Sequence, residues 1–271
     1  MIRLWLPLVV LLLWAAAALG AQLLPLTPNL IQLEQILATP EAGAVLGYDD
    51  LGRAIDARII VGARTSFLVS IWVVGLSLLV GTLLGTVTAF HGGWWDRVAV
   101  LGVDIFLAFP GILLAIALAG LLGPGIGNVV IALTAVGWVG YARLARAQVL
   151  SLQHREHVQA AVALGSSKWR IIRRHLLPLM LAPLIVEATF GIAAVVIAEA
   201  GLSFLGLGVQ PPTASWGAMI RDGARYMLVA PHMVLAPGMA ILAVVLSVNL
   251  LGDRLRDKLD TRMTARTGTQ S

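Results

Sequence analysis

The sequence predicts an all-α integral membrane protein with six transmembrane helices and a short cytosolic helix between the fourth and the fifth. Its mean hydropathy is +0.90, and only 12% of its 271 residues are charged, whereas soluble domains carry about a quarter. Uncharged runs recur at the length of about 20 residues that a helix needs to cross the hydrocarbon core. These runs are longer than the strands of a membrane barrel, so helices are expected to satisfy the backbone in lipid.

Gaps between charged residues define the spans. No Asp, Glu, Lys or Arg occurs between Arg64 and Asp96, which predicts the second span. The uncharged run between Asp104 and Arg143 is too long for one helix, and the Gly-Pro-Gly sequence at 123–125 divides it, because glycine and proline interrupt helices. The predicted spans are residues 4–24, 66–90, 98–122, 126–142, 183–205 and 233–251.

The first of these runs has a second interpretation. Residues 1–22 contain one arginine, an apolar stretch and an alanine-rich end, which is also the pattern of a cleavable signal peptide. The apolar stretch is nearer in length to a span than to a signal core, which favours retention. Cleavage would leave five spans, and an intact amino-terminal residue in mass spectrometry of the mature protein would exclude it.

Positive charges set the predicted orientation. With both termini in the cytoplasm, fourteen of the 19 Lys and Arg residues lie on the cytosolic side, as the positive-inside rule requires. Topology therefore explains the net charge of +5, and nucleic-acid binding is not expected. The chain contains no cysteine, which excludes disulfides, thiolate catalysis and cysteine metal sites.

Two external stretches are predicted to have structure of their own. Residues 53–60 read RAIDARII and predict a short amphipathic helix at the membrane interface, with a simple surface elbow as the alternative to a role in solute binding. Residues 206–213 contain two glycines and two prolines, so irregular backbone is expected there, folded back into the mouth of the protein. Trp216 is expected in the outer aromatic belt.

The most informative stretch follows the fourth span. Residues 156–165 read EHVQAAVALG, a segment too short and too polar to cross the membrane. The positions with three-and-four spacing on its predicted apolar face are Val158, Ala161, Val162, Gly165 and Trp169. Glu156 and Gln159 lie on or near the opposite face, Gly165 is expected to end the helix, and one of the two serines that follow is expected to cap the next. An ordinary interfacial helix is the alternative to a docking element.

Residues 156–178 resemble the EAA loop of ATP-binding-cassette importer permeases. The pattern of that loop is Glu-Ala-Ala, three residues, Gly, nine residues, Ile, one residue, Leu-Pro. The residues that fall in this register are Ala160, Ala161, Gly165, Leu177 and Pro178. Gln159 stands where the pattern has its glutamate, and His175 stands where it has isoleucine.

Further stretches resemble the dipeptide, oligopeptide and nickel-type subfamily, and within it the second, C-type, permease subunit. They are LGYDDLGR at 46–53, AFP at 108–110, GWVGYAR at 137–143, AEAGLSFLGLGVQPP at 198–212 and NLLGDRLRD at 249–257. The resemblance covers residues 46–260 and implies a type I importer organisation. Its parts are a first transmembrane helix (1–25), an external loop with an interfacial helix (26–64), a core of five spans (65–252) that includes the coupling loop (151–182), and a cytosolic basic tail (253–271).

The resemblance implies half of a membrane pore, and not an enzyme, in the bacterial cytoplasmic (inner) membrane. The expected partners are a homologous second permease subunit, two cytosolic ATPase subunits and an extracytoplasmic solute-binding protein. ATP and Mg would be used by the ATPase subunits, since this chain has no P-loop motif and is expected to bind no cofactor itself. The residues expected to contact the ATPase are Glu156, His157, Gln159, Ala160, Ala161, Gly165, Leu177 and Pro178.

Asp104 and Glu199 are ionisable residues inside predicted spans. Such residues are costly in lipid and usually face a cavity or a partner. Both are candidates for the translocation pathway, with pairing between helices or subunits as the alternative. The five histidines occupy different loops without metal-ligand spacing, so no metal site is expected.

Two other functional classes remain open. An intramembrane enzyme would need a buried nucleophile beside a base, but the histidines lie outside the predicted spans. An ATP-independent secondary transporter or channel would need no docking helix, and reconstitution with and without ATPase subunits would distinguish it. The solute is open among peptides, nickel complexes, opines and sugars, because the binding protein largely selects it.

Overall fold

The structure is a computed structural model that describes residues 2–40 and 44–267, with the side chains of residues 5–40 and 44–259. The α-helices of these residues are α1 (Ile2–Gly20), α2 (Ile55–His91), α3 (Gly93–Leu107), α4 (Gly111–Leu122), α5 (Ile126–Leu152), α6 (Glu156–Ala163), α7 (Lys168–Ile171), α8 (Leu177–Phe204), α9 (Trp216–Ala224) and α10 (His232–Thr267). Residue 1 of the predicted first helix, residues 41–43 of the predicted external loop and residues 268–271 of the predicted basic tail lie outside the described residues.

Four stretches of helix are long and apolar enough to cross a membrane. They are α2, α5, the continuous helical stretch Lys168–Phe204 that ends with α8, and α10 as far as Leu259. α3 and α4 give a fifth if the bent pair is one span, and the apolar helix Trp5–Gly20 is shorter. The prediction of an all-α membrane protein is confirmed, and the described residues give four to five spans by length and composition.

The second span begins earlier than predicted. α2 starts at Ile55 and not at residue 66. Residues 53–60 therefore do not form a separate interfacial helix. Arg58, in the first turns of α2, is buried and paired: it is 3% exposed, and its Nε lies 3.5 Å from Asp49 Oδ2. A guanidinium with a carboxylate partner tolerates burial, which lets the helix extend through this position.

The third span is broken where one helix was predicted over residues 98–122. α3 and α4 are separated by residues 108–110, and the chain bends by 85° between the two helices. Pro110 is the physical cause, because it has no amide hydrogen to donate and its ring clashes with the preceding turn of a helix. Helical structure resumes directly after it, at Gly111.

The predicted break at residues 123–125 is confirmed. α4 ends at Leu122, and the φ angles of Gly123 and Gly125 are +86° and +144°, which side chains rarely allow. The amide of Asn128 donates to the carbonyls of Leu122 and Gly123, both at 2.9 Å. These bonds satisfy carbonyls that the end of the helix leaves free.

α9 is a helix that the sequence did not predict. It follows the irregular backbone expected over residues 206–213, and the Ser215 hydroxyl accepts the amide hydrogen of Ala218 to cap it. Trp216 is 2% exposed, so its expected position in an aromatic belt is wrong. Its indole nitrogen donates to the carbonyl of Ile59 at 3.0 Å, and a buried indole needs such a partner.

The chain forms two compact units, drawn from the described residues of each range. The first comprises Met1–Trp72, Ala115–Leu133 and Ile192–Leu251, and the second comprises Val73–Leu114, Thr134–Gly191 and Gly252–Ser271. The core of the first unit contains Trp14, Trp216 and Met233, and the indole nitrogen of Trp14 donates to the carbonyl of Ala63. In the second unit Val103 of α3 packs against Val139 and Ala142 of α5.

Two glycines bring α2 and α5 together in the second unit. A Cβ atom on Gly81 would collide with the backbone at Trp138, and one on Gly85 would collide with the Ala142 carbonyl. The four-residue spacing of these glycines places both on one face of α2. Small residues allow backbones to approach closely, which is the main source of packing energy between helices in lipid.

Candidate functional site

The connection between α5 and α8 contains a short exposed helix with a well-defined end. Gly165 has a φ of +73°, its amide hydrogen bonds to the carbonyl of Val162, and that of Ser166 bonds to the carbonyl of Ala161. This pair of bonds is the Schellman ending of a helix, in which glycine takes the left-handed position without strain. The prediction that Gly165 ends α6 is confirmed.

The next helix, α7, begins at Lys168 and continues without a break into α8. The hydroxyl of Ser167 accepts the amide hydrogen of Arg170 at 3.4 Å, which caps α7 as predicted. A five-residue π-helical turn, Ile172–Leu176, then joins α7 to α8, whose first residues are Leu177 and Pro178. Turns of this kind are rare and are often found at functional sites.

α6 buries one narrow face. Val158 is 0% and Ala161 is 8% exposed. Three of the five positions of the predicted apolar face are not buried, because Val162 is 54% and Trp169 is 60% exposed and Gly165 is exposed as well. A helix of eight residues has little more than two turns, so only about one position in each turn can face the interior.

Most of the residues expected to contact a partner are accessible. The exposed ones are Glu156, His157, Gln159, Ala160, Gly165 and Pro178, and Leu177 is partly exposed. The predicted contact of Ala161 with a partner is wrong. Its side chain faces the interior, so it supports α6 from beneath and offers little surface to another protein.

Five exposed cations lie near α6, namely Arg155, Lys168, Arg170, Arg173 and Arg174. The arrangement is a rigid, mostly basic protrusion with one acidic residue, Glu156, at the start of its helix.

Two histidines of this connection lie near each other. The rings of His157 and His175 lie 6.1 Å apart. No group of three or more potential metal-ligating side chains occurs in the part of the chain that the structure describes. Two imidazoles alone do not complete the tetrahedral set that zinc requires.

A cavity of about 740 Å³ lies in the second unit between α2, α3 and α5. Its walls are mostly apolar and include Val100, Leu107 and Trp138. Asp104, one of the two predicted pathway residues, is exposed and lines this cavity, together with Arg143. An apolar cavity with a few charged groups is the usual form of a small-molecule site.

An ion pair beside this cavity was not anticipated from the sequence. Asp96 and Arg146 form two hydrogen bonds across α3 and α5, of 2.7 and 2.8 Å. The signal available in the sequence was an acidic residue in the first turn of one span and an arginine near the end of the next. Proximity of the two helix ends is required to pair them, and the sequence does not give it.

Glu199, the second predicted pathway residue, lies in the first unit and is 1% exposed. Its carboxylate accepts hydrogen bonds from the hydroxyls of Ser66 at 2.9 Å and Ser203 at 2.8 Å. Glu199 and Ser203 both belong to α8, whereas Ser66 belongs to α2, so the bond from Ser66 links two helices. Of the two alternatives raised for Glu199, this environment favours pairing between helices.

Comparison with known proteins places these features in a family context. Residues 77–265 match the family model described as binding-protein-dependent transport system inner membrane component. The glutathione transport system permease protein GsiD of Pectobacterium atrosepticum is 39% identical over 255 residues, covering 94% of this chain and 85% of that protein. The dipeptide transport system permease protein DppC of Alkalihalophilus pseudofirmus is 44% identical over 227 residues, covering 84% of this chain and 75% of that protein.

A solved structure shares the fold. A chain from the inward-facing MetNI methionine ABC transporter superposes with a TM-score of 0.62, covering 75% of this chain and 97% of its own length. The sequence identity is 18%, so this likeness concerns the fold alone. The α6 connection and the cavity both lie within the part of the chain that matches the family.

Proposed function

The chain belongs to the family of binding-protein-dependent transport system inner membrane components, as a permease subunit of an ATP-binding-cassette importer, and we propose that it forms half of the pathway for a peptide or a related small solute. The observation that carries the mechanism is the exposed helix α6, held on the second unit by Val158 and Ala161 and ended by Gly165. The names of the relatives support peptides as the solute class.

The proposed assembly contains a homologous second permease subunit, two cytosolic ATPase subunits that use ATP and Mg, and an extracytoplasmic solute-binding protein. The chain lies in the bacterial inner membrane with both termini in the cytoplasm, an orientation supported by the distribution of Lys and Arg. α1 is the first of six spans, and α3 with α4 counts as the third. In this orientation the α6 connection faces the ATPase subunits.

α6 is the coupling helix in this proposal. Its exposed residues seat in a groove of the ATPase, and closure of the ATPase dimer on ATP displaces α6. The displacement reaches α8 through α7 and the π-helical turn, because residues 168–204 form one continuous helical stretch. ATP thereby shifts the population of permease conformations through contacts that differ between the two states.

Gln159 changes the chemistry of this contact. Glutamate at this position would form a charge-assisted bond to an ATPase arginine, whereas glutamine offers neutral hydrogen bonds of about half that strength. Glu156 is exposed one turn earlier on α6 and supplies a carboxylate that compensates. The small exposed side chain of Ala160 allows the backbone of α6 to approach the ATPase closely.

The proposal is tested by Ala160→Arg in the importer assembled with its partners in proteoliposomes. An arginine at this exposed position obstructs the docking surface without disturbing the buried face, so ATPase association and ATP-driven uptake should fall while the permease stays folded. The matched control is His91→Arg, an exposed position at the end of α2. Unchanged ATPase association and uptake in Ala160→Arg would refute the docking role.

The same vesicles test the alternative function. An ATP-independent transporter or channel moves solute without nucleotide and without ATPase subunits. Uptake that persists at the full rate after ATP is removed would therefore favour that alternative. In the proposed importer, uptake stops when either ATP or the ATPase subunits are left out.

A pathway role remains part of the proposal for Asp104, which is exposed in the cavity of the second unit. For Glu199 the buried bond from Ser66 supports a role in holding α2 to α8. We therefore assign contact with the solute to Asp104 and helix pairing to Glu199.

A further inference from the structure

The cavity of the second unit contains one carboxylate and one guanidinium group that have no ion-pair partner among the described side chains. Asp104 on α3 and Arg143 on α5 both line it and are both exposed. Among the described side chains, neither forms an ion pair or a side-chain hydrogen bond. Arg146, the other arginine in the lining, is already bound to Asp96.

Contacts between α3 and α5 fix the spacing of the two charges. Asp96 pairs with Arg146, and farther along the same helices the rings of Phe106 and Trp138 lie 5.5 Å apart, so the helices run antiparallel. Asp104 is about 12 Å along α3 from the ion pair, and Arg143 is about 4.5 Å along α5 in the same direction, at about 1.5 Å per residue. The backbone positions of Asp104 and Arg143 are therefore offset by about 7.5 Å along the two helices.

We propose, building on the importer function proposed above, that this cavity binds a short zwitterionic peptide, with its ammonium group at Asp104 and its carboxylate at Arg143. An extended chain spans up to about 3.5 Å per residue, so the termini of a peptide of two or three residues match the spacing. The apolar walls accept side chains of varied sequence, while the two charges select free termini.

A lipid explains the lining less well. An isolated carboxylate in a membrane protein requires water, a cation or a hydrogen-bond donor beside it. An anionic phospholipid would supply a phosphate for Arg143, but its acyl chains would desolvate Asp104. A zwitterionic solute compensates both side chains at once, and a hydrated cavity compensates them when the solute is absent.

The test uses a single cysteine in the cavity, which is possible because this chain has none of its own. Ala99→Cys, in the lining, is assembled with cysteine-free partner subunits in vesicles of zwitterionic lipid. The rate of alkylation is measured with millimolar dialanine, amino-acetylated dialanine or carboxy-amidated dialanine, without the binding protein. Free dialanine should slow alkylation about tenfold, and each blocked form should slow it less than twofold.

Two variants and one control make the readout specific. In the Ala99→Cys background, Asp104→Asn should remove the discrimination against the acetylated form only, and Arg143→Gln should remove the discrimination against the amidated form only. A purely structural role for either residue would not make each variant lose discrimination against a different blocked peptide. Leu228→Cys, fully exposed, outside the lining and away from the proposed ATPase contact, should be alkylated at the same rate with and without dialanine.

Several results would overturn the inference. Equal protection by all three forms, or protection by none, excludes selection of free termini. Alkylation that is slowed by anionic phospholipid in the vesicles identifies a lipid site, and a cysteine that becomes inaccessible on assembly identifies a partner helix in the cavity. The proposed function is judged separately, since ATP-driven uptake that fails in the wild type refutes it whatever the protection result.

Discussion

Arg146 binds both carboxylate oxygens of Asp96, with Nε 2.7 Å from Oδ1 and Nη2 2.8 Å from Oδ2. The pair joins the first turn of α3 to α5 in the second unit, beside the cavity that Asp104 and Arg143 line. Bidentate geometry fixes the orientation of a guanidinium as well as compensating its charge. Arg146 is therefore unavailable to a solute, and Arg143 is the arginine of the lining that can bind one.

The first prediction concerns the strength of this ion pair. Asp96→Ala should destabilise the purified chain by about 1–2 kcal/mol, because it leaves a partly buried arginine without its carboxylate. A double-mutant cycle with Arg146→Ala, read from unfolding in detergent, should give a coupling energy of about 1 kcal/mol. Arg97→Ala, at an exposed neighbouring arginine, should have little effect. Additive effects of the two substitutions would show that the pair contributes nothing.

The second prediction concerns the contact between α2 and α5. Gly85→Ala should lower the free energy of unfolding by about 1–3 kcal/mol, because its Cβ would collide with the Ala142 carbonyl and force the helices apart. Gly75→Ala is the matched control, since no atom lies within 4 Å of its added Cβ. Alanine is the better helix former, so Gly75→Ala should be neutral or stabilising by up to about 1 kcal/mol. Equal shifts in thermal unfolding would contradict the close approach.

The third prediction separates charge from hydrogen bonding at Glu199. Glu199→Ala should destabilise the protein by about 1–3 kcal/mol, because the buried hydroxyls of Ser66 and Ser203 lose their acceptor. Glu199→Gln keeps an acceptor oxygen and should cost less. Glu34→Ala, at an exposed position of the same unit, serves as the control in thermal unfolding. A larger loss of stability in Glu199→Gln than in Glu199→Ala would contradict the role of these hydrogen bonds.

The fourth prediction concerns pH and Asp50, which lies outside the spans. Burial, and secondly the charge of Asp49, raise the pKa of Asp50 above its ordinary value of 3.8. Its Oδ1 accepts no hydrogen bond from the described residues and lies 3.6 Å from an Arg53 nitrogen. The folded state therefore favours the protonated form, so this contribution to stability is complete below pH 3.8 and is lost as pH rises through the folded pKa.

Asp50→Asn should consequently unfold at a higher temperature than the wild type at pH 7. The difference should shrink as pH falls and vanish below about 3.8, where the wild-type carboxyl is protonated in both states. Thermal unfolding of the two proteins across this range provides the measurement. A difference that is constant with pH would show that the substitution acts through packing and not through charge.

Helix ends were predictable where the local sequence alone determines them. Gly165 and the glycines at 123 and 125 adopt positive φ angles, a conformation that only glycine takes freely. The start of α2 at Ile55 was not predictable in this way, because it depends on the contact of Arg58 with Asp49 in the preceding loop. A carboxylate in a loop carries no periodic signal that connects it to a helix.

The candidate site shows the same limit on a smaller scale. Periodicity identified an exposed helix over residues 156–165, and the resemblance to importer permeases assigned it a role. Whether Ala160 or Ala161 faces outward depends on the rotation of α6 about its own axis, and two turns contain too few positions to define that rotation. The packing of Val158 sets that rotation, with Ala161 buried beside it and Ala160 exposed.

The uninterrupted helix through residues 168–204 has a mechanical consequence. Between α6 and α8 the helical structure is interrupted at one place, the turn at Gly165 that separates α6 from α7. In the proposed importer, a stiff turn would transmit each movement of the ATPase to α8, whereas a flexible turn would let α8 lag behind nucleotide binding. The backbone conformation at position 165 would thus determine how closely the movement of α8 follows nucleotide binding in the proposed importer.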